Sequence, residues 1–491
     1  MLLLIFITLI FLLIFQQFYW KRRKYPPGPI PLPLVGNMLQ IFLYPPGYET
    51  FRKWRKDYGP VFTYWMSEMP VVAICEYEAM KESVIKDGDN YVDRSFMEEF
   101  NVILRGGNYG MTAASGDLWR DQRRFTLHTM RDFGMGRNLM EERIMVEVDF
   151  LIVKLGKLKR NVYVQQEFDI AIGSVINSVL FGYRFDEEHQ HEFELVKGAL
   201  REMLKAGSNA RFLVCVIVPF MRKIPILNSE YYRILKRNEQ MVEFIQRQIE
   251  ERRKVVDLES ETSSDFVEAY LKEREARKGG ATEEFYCDLQ LRNLIYDMWG
   301  AGMETTSNTL TWAICYFLNF PEVQEKVHKE LDRVIGPHRN ITMADKSSLP
   351  YLNAVICEIQ RFGNILVQNL IRQTTKDATI CGQRIPARTV VLPQVSSVLY
   401  DEKIFPEPYK FNPDRFLNSD GSLRKIEEFI PFGIGKRQCI GEGLARMELY
   451  LFIANILQRF TLSTDKIPSM EKVPGQIVVA KKYFCDFVER T

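Results

Sequence analysis

Cysteine is scarce: eight in 491 residues, at positions 75, 215, 287, 315, 357, 381, 439 and 485. That density excludes a disulfide scaffold. No two cysteines stand as CxxC, which argues against a structural zinc site. An excess of one charge is lacking too. The formal net charge is +2, so there is no electrostatic reason to expect a nucleic-acid partner. No segment repeats, and no second linker interrupts the body from Pro26 to Thr491. Hydrophobic residues make up 46% and charged residues 26%, which excludes collagen-like and fully disordered chains.

The strongest bias is at the start. From Leu2 to Phe15 only Thr8 is polar; Phe18, Tyr19 and Trp20 follow, then Lys21-Arg22-Arg23-Lys24. As a helix, Leu2 to Trp20 would span roughly 28 Å at about 1.5 Å per residue, close to a hydrocarbon core of about 30 Å. An aromatic cluster followed by four cations is how a span meets a membrane surface. A cleaved signal peptide fits less well, because the cations follow the apolar run and no small-residue cleavage site is visible. Residues 1–20 therefore read as one N-terminal transmembrane helix, with everything after Lys24 cytosolic. Prolines 26, 27, 29, 31 and 33 make 21–36 a basic, proline-rich linker that resists helix and reads as either a stiff spacer or an ordinary loop. The remainder, 37–491, reads as one large domain, mainly α with a small β portion. Helical periodicity covers Tyr48–Tyr58, Leu139–Lys159, Tyr231–Val256, Leu291–Phe320 and Gly441–Phe460. Short β-rich runs lie near Val61–Tyr64, Val71–Ile74, Ala378–Cys381 and Val390–Leu392.

Chemistry concentrates in Phe432-Gly433-Ile434-Gly435-Lys436-Arg437-Gln438-Cys439-Ile440-Gly441, directly ahead of a helix. Backbone N–H groups at a helix start favour a thiolate at Cys439. Gly433 and Gly435 permit a tight backbone path, Gly441 permits close approach of a flat body, and Arg437 supplies a fixed positive charge. A lone cysteine is usually a small buried hydrophobe. A thiolate on a glycine-walled loop beside a cation is instead what a thiolate-ligated haem iron needs. A second segment, Ala301-Gly302-Met303-Glu304-Thr305-Thr306, lies in a long apolar helix. Gly302 is unfavourable there by about 1 kcal/mol and points to a kink or a close contact. Ala301 and Gly302 leave room above a flat cofactor, and Glu304 and Thr305 offer an acid and an alcohol for proton delivery.

Phe432-x-x-Gly435-x-Arg437-x-Cys439-x-Gly441 resembles the haem-binding signature of the cytochromes P-450, the haem-thiolate monooxygenases. Other segments match in order along essentially the whole chain. Arg131-Asp132-Phe133-Gly134-Met135-Gly136-Arg137 and the proline-rich linker resemble the microsomal branch that handles drugs, fatty acids and steroids. The resemblance implies the cytochrome P-450 fold and a haem b with Cys439 as axial iron ligand. It implies that Glu304 and Thr305 deliver protons for O–O cleavage, and that Ala301 and Phe432 line the cofactor. Glu358-Ile359-Gln360-Arg361, joined by Arg415, resembles the family's buried Glu–Arg structural pair. Trp119 and Arg123 resemble its WxxxR motif, which with Arg437 would hold the haem propionates. Arg94 and Arg372 occupy places where microsomal relatives often have a propionate-binding cation, although at 372 many of them have His.

Gly441-Glu442-Gly443 does not complete a dinucleotide fingerprint: no strand precedes it and no acidic residue follows in a βαβ unit. NADPH therefore enters only indirectly, through an NADPH-cytochrome reductase, with cytochrome b5 as an additional donor. Arg120, Arg123, Arg124, Arg131, Arg137 and Lys436 are candidates for a basic docking face. Met298, Ala301, Ile365, Leu366, Leu370, Ile477 and Val478 are apolar candidates for a substrate pocket, and Phe212–Met221 for a second membrane contact. The expected activity is insertion of one atom of O2 into a lipophilic substrate (a fatty acid, steroid or xenobiotic) at the cytosolic face of the endoplasmic reticulum membrane. The alternatives are a haem-thiolate isomerase or dehydratase working without O2, or a non-catalytic haem- or lipid-binding protein. The intact Glu304–Thr305 pair disfavours both.

Overall fold

The structure is a computed structural model that describes every residue except 1, 34, 135–137, 187, 207–208, 338, 476 and 491. Its contacts fall into two compact units. One comprises Met1–Met97, Leu366–Pro408 and Glu427–Cys439; the other comprises Glu98–Ile365, Tyr409–Ile426 and Ile440–Thr491.

The first unit opens with helix α1 (Leu2–Phe18), seventeen residues long. It ends before the apolar run does, because Tyr19 (φ −125°, ψ −63°) leaves the helical region and Trp20–Lys24 winds as a 3₁₀ turn. Among the described residues no helix is long and apolar enough to cross a membrane. The proline-rich segment runs extended against a strand: Thr63 N–H donates to the Pro27 carbonyl and Asn37 N–H to that of Trp65.

Helix α2 (Tyr48–Tyr58) follows, as the sequence predicts, with Phe51 and Trp54 on its buried face. The sheet of this unit has β1 (Val61–Met66) and β2 (Met69–Ile74) as a hairpin in the register Val61↔Ile74. Two later strands, β3 (Arg372–Gln373) and β6 (Val390–Pro393), complete it; β4 (Ala378–Ile380) and β5 (Gln383–Ile385) pair separately between them. The order is β1-β2-β6-β3, with β6 parallel to β2 and β3 antiparallel to β6. Alternate side chains point to opposite faces of a strand, and the two cores follow that rule. Phe62, Tyr64, Val71, Ala73, Val390 and Leu392 pack with Phe51 and Trp54. Val61, Val72, Ile74 and Val391 pack on the other side with Tyr77, Met80, Val84 and Ile434. The sheet thereby seats Ile434, and with it the cysteine loop.

The second unit is helical. Its main elements are α3 (Gly116–Asp132), α4 (Asn138–Leu158), α5 (Val164–Phe181), α6 (Gln190–Ala206), α7 (Ala210–Ile217), α8 (Pro225–Val255), α9 (Asp288–Asn319), α10 (Pro350–Gly363) and α11 (Glu442–Arg459). Helix α8 begins six residues before the predicted start, because Pro225 occupies its first turn, where a missing N–H costs nothing. The 32-residue α9 spans about 48 Å, and from Thr306 to Leu318 every residue is buried. Two small antiparallel pairs, β7 (Phe460–Ser463) with β10 (Asp486–Glu489) and β8 (Lys472–Val473) with β9 (Val479–Ala480), complete the unit.

The apolar run Phe212–Met221 divides. Phe212 and Cys215 are buried with Tyr231 and Ile234, whereas Val214 and Phe220 are exposed.

Candidate active site

In the first unit the cysteine loop folds back on itself. Gly433 N–H donates to the Ile430 carbonyl, Gln438 N–H to that of Gly435, and Cys439 N–H to that of Phe432 at 3.0 Å. Gly435 has a φ of +77°, and a Cβ there would lie 2.2 Å from the Val84 carbonyl oxygen. Both facts require glycine. The close approach is to the protein's own backbone.

Arg437 reaches back to the Val92 carbonyl, with Nε at 2.8 Å. Arg372 on β3 donates from Nη2 to the Ile434 carbonyl at 2.6 Å. The neighbour of Arg372, Gln373, bridges to Asp93, which places Arg94 beside that strand. Arg94, Arg372 and Arg437 are all buried. Two permanently charged guanidiniums, those of Arg372 and Arg437, thus meet at the loop that carries Cys439 and Phe432, with Arg94 on the segment bridged to β3. Such a concentration of fixed donors is suited to a ligand bearing two carboxylates. Lys436 points outward and pairs with Asp89.

Cys439 is solvent-exposed, whereas Cys75, Cys215, Cys315 and Cys485 are buried. Burial pushes the thiols of Cys75 and Cys315 up to about 12 and that of Cys357 to about 11, so these stay protonated near neutrality.

In the second unit, Trp119 and Arg123 sit one turn apart on α3, with the guanidinium 5.9 Å from the indole centroid. Trp119 is buried. Asp297 on α9 fixes the segment before α3: it accepts from the N–H groups of Met111 and Thr112, both at 2.8 Å, and pairs with Arg105. The middle of α9 has one open stripe. Met298 and Thr305 are half-buried and Ala301 is exposed, while Trp299, Met303 and Glu304 are buried. A side chain at Gly441 would meet no protein atom within 4 Å. Each of these surfaces leaves room for a flat group, and the exposed thiol beside clustered guanidiniums supplies the donor chemistry for a haem.

Two expectations for the α9 segment need correction. Gly302 does not open space over a cofactor: a Cβ there would lie 2.6 Å from Ile176 Cδ1, so the missing side chain lets α5 pack against α9. The acid and the alcohol also part company. Thr305 Oγ1 donates to the Ala301 carbonyl one turn earlier, at 2.8 Å, on the open stripe. Glu304 turns into the core, where its carboxylate accepts from Lys197 Nζ of α6 and from Asn308 Nδ2 at 3.0 Å. Lys197 also pairs with Asp169 of α5 at 3.0 Å. Adjacent residues on a helix are about 100° apart, so one of the two faces the core when the other faces outward.

The Glu–Arg pair forms as the resemblance implies. Arg361 donates to Glu358 from Nε at 2.7 Å and Nη2 at 2.8 Å, and Arg415 adds a bond at 3.3 Å. Lys472, which sequence reasoning missed, donates to the carbonyls of Phe362 and Gly363 at the end of α10. Burial, reinforced by Arg361, pushes it down to about 7. Lys197 and Asp169 were missed as well. Their one sequence signal is a charge among core positions: Lys197 lies beside Val196 and on the face of Phe193 and Leu200, all buried. Arg137 of the proposed basic face lies outside the described residues, and Arg120 and Arg124 pair with Asp117 and Asp121 of their own helix.

The family model described as Cytochrome P450 matches residues 26–485. The chain is 34% identical over 484 residues to Cytochrome P450 2A4 of Mus musculus, covering 96% of this chain and 95% of that protein. It is 37% identical over 451 residues to Cytochrome P450 2H2 of Gallus gallus, covering 91% and 89%. To Cytochrome P450 2A6 of Homo sapiens it is 34% identical over 483 residues, covering 96% and 95%. The chain belongs to the cytochrome P450 family and is a monooxygenase of that family, an oxidoreductase. Membership implies a haem held through a cysteine thiolate.

Proposed function

We propose that this monooxygenase inserts one atom of O2 into a lipophilic organic substrate (a fatty acid, steroid or xenobiotic), with electrons from an NADPH-dependent reductase. The observation that carries the reading is Cys439: an exposed thiol at the end of a loop held by its own backbone bonds, beside buried Arg372 and Arg437. Cys439 would hold the iron, while Arg94, Arg372, Arg437, Trp119 and Arg123 would hold the propionates. When bound, a thiolate-ligated haem supplies the electron-rich centre for O–O cleavage. The protein's part is orientation, dryness and protons. Phe432 and Ala301 would border the flat group, Thr305 would present its hydroxyl on the open stripe, and Glu304 would supply the nearby acid.

A lipophilic substrate is supported by the apolar candidates. Val478 N–H bonds the Ile365 carbonyl at 2.7 Å, fixing two of them in one place. Membrane attachment at the endoplasmic reticulum, through residues 1–20, is supported by apolar side chains exposed on every side of α1, from Ile5 and Phe6 to Ile14 and Phe15. Those side chains want a hydrocarbon environment. Part of the charge on Arg120, Arg124 and Lys436 would remain available to an acidic reductase or to cytochrome b5.

The test is the spectrum of the reduced, CO-bound protein. A thiolate-type Soret band in the wild type that disappears in Cys439→Ala is the expected result. An imidazole-type band, or a thiolate band that survives the substitution, would overturn the assignment.

A further inference from the structure

One hairpin of the helical unit is tied to the two helices beside it. Strands β8 and β9 pair in the register Lys472↔Ala480 and Val473↔Val479, and the link between them carries Ile477 and Val478, both buried. On the α9 side, Trp312 Nε1 donates to the Val478 carbonyl at 3.2 Å, and the Tyr483 hydroxyl, just past β9, donates to the Thr311 carbonyl at 2.5 Å. On the α10 side, the Val478 N–H donates to the Ile365 carbonyl at 2.7 Å, and Lys472 Nζ to the carbonyls of Phe362 and Gly363, both at 2.8 Å.

Helix α10 ends at those two carbonyls. Asn364 enters the left-handed region (φ +36°, ψ 66°), and its N–H closes the helix on the Gln360 carbonyl. The carbonyls after Gln360 have no N–H of their own helix to accept from, and a cation there also meets the negative end of the helix dipole. Lys472 meets both needs from 109 residues away. Its ammonium lies 5.9 Å from the centroid of the Phe362 ring, which packs at 5.3 Å against Tyr316 of α9. The charged side chain next to it is Arg361, whose guanidinium is taken up by Glu358. Ile365 follows two residues after Gly363, so the grip on the last turn of α10 fixes the direction in which the chain carries Ile365 to the hairpin.

We infer that Lys472 is a positioning residue for substrate selection: it clamps the end of α10 to the β8–β9 hairpin and so sets the spacing between Ile365 and Ile477 in the pocket wall. The inference rests on the proposed pocket for a lipophilic substrate. The other ties, from Val478 to Ile365 and from Trp312 to Val478, run through backbone atoms of the hairpin. Loss of the lysine side chain therefore shifts the wall while the hairpin stays attached. A residue that touches no substrate thereby decides which lipophilic shapes fit.

The test uses the full-length, haem-loaded protein and two uncharged probes that bind iron through nitrogen, pyridine and 4-phenylpyridine. Binding is read from the shift of the Soret band, and the ratio of the two Kd values isolates what the phenyl tail gains from the wall. Lys472→Met, which keeps the stem and drops the donors, is expected to raise the Kd of 4-phenylpyridine about fivefold, a size typical of coupled neighbours, and to leave that of pyridine unchanged. Most of that rise should vanish in an Ile477→Ala background. Lys472→Arg, which keeps donors at the same helix end, should return the ratio toward the wild type. Amide hydrogen exchange along 360–365 should quicken in Lys472→Met, which is read without turnover. If Lys472→Met does not load haem, Lys472→Gln takes its place in the same cycle. An unchanged ratio in the Lys472 variant, where Ile477→Ala does alter it, overturns the inference and leaves the pocket intact. So does an equal rise for both probes. An unchanged ratio in both Ile365→Ala and Ile477→Ala removes the pocket wall, and the inference with it.

Discussion

Two buried carboxylates in the helical unit are held in opposite ways. Glu358 is fully buried and faces two guanidiniums; one makes a two-pronged bond along its own helix, and the other arrives from Arg415. The Asn412 N–H adds a further bond at 2.9 Å. Glu304 shares a single ammonium with Asp169. The first group carries a surplus positive charge and planar geometry, which fixes an angle between chain segments. The second carries a surplus negative charge and a contact with no preferred plane. The difference is one of geometry: guanidinium pairs set a plane and an angle, whereas a lone ammonium shared by two acids imposes neither.

The comparison can be broken by removing each cation. Arg361→Ala leaves Glu358 buried without its bidentate partner. It is expected to destabilise by about 3–5 kcal/mol, seen as loss of haem-loaded protein or as a lower denaturant midpoint. A Lys197 substitution should cost distinctly less, because its ammonium makes single contacts with no bidentate, planar pairing to lose. Equal losses at the two sites would erase the distinction.

A smaller effect is expected at the packing that lets α5 approach α9. Gly302→Ala gains about 1 kcal/mol of helix propensity, but its Cβ meets Ile176 Cδ1 at 2.6 Å; overpacking of this kind costs about 1–3 kcal/mol. Ile176→Val removes that atom, so the double variant should recover stability that either change alone lacks. A double variant no better than Gly302→Ala would show that the contact yields by itself.

The limiting case is a carboxylate with no cation. Glu448 of α11 is buried, its Oε1 has no hydrogen-bond partner among the described residues, and burial pushes it up to about 8 against a bond from Thr306 that pulls the other way. Its folded-state value lies above the unfolded one. The stability it permits is therefore complete below about pH 4.5 and is lost as pH rises toward about 8. Glu448→Gln should flatten that fall. Tm at pH 8 should rise by a few degrees, roughly, relative to the wild type, with little change at acid pH. Parallel pH profiles would mean that the carboxyl is already ionised.

The sequence was most readable where the chemistry is contiguous. Cys439, Arg437 and the loop glycines lie within ten residues, and Glu358 and Arg361 share one helix turn, so short motifs carry the resemblance that points to them. The α2 and β-hairpin ranges followed from apolar periodicity over short spans. Reading failed where partners are distant and their residue types ordinary. Lys197 stands 107 residues from Glu304, and no local pattern links them. For Gly302 the expected close contact is present, but with Ile176 and not beside a cofactor, because a missing side chain does not reveal which neighbour fills the space. The Glu304–Thr305 pair was taken as one device, although helix geometry sends the two groups to different faces. The end of α1 was placed two residues late because hydropathy runs on through Tyr19 and Trp20 while the backbone turns.

That turn has a mechanical consequence. Lys21 bonds Gln17 and Glu68 at 2.7 Å and lies 4.4 Å from the Trp65 ring, and Arg22 grips the Gly28 carbonyl at 2.7 Å. Pro27 is then stitched to Thr63. Lys21 thus binds the hairpin and Arg22 the linker, two cations that could otherwise meet lipid headgroups, so little slack is left between α1 and the sheet. If α1 lies in a bilayer as proposed, any lean it adopts is handed directly to the strands, like a mast whose angle sets the deck.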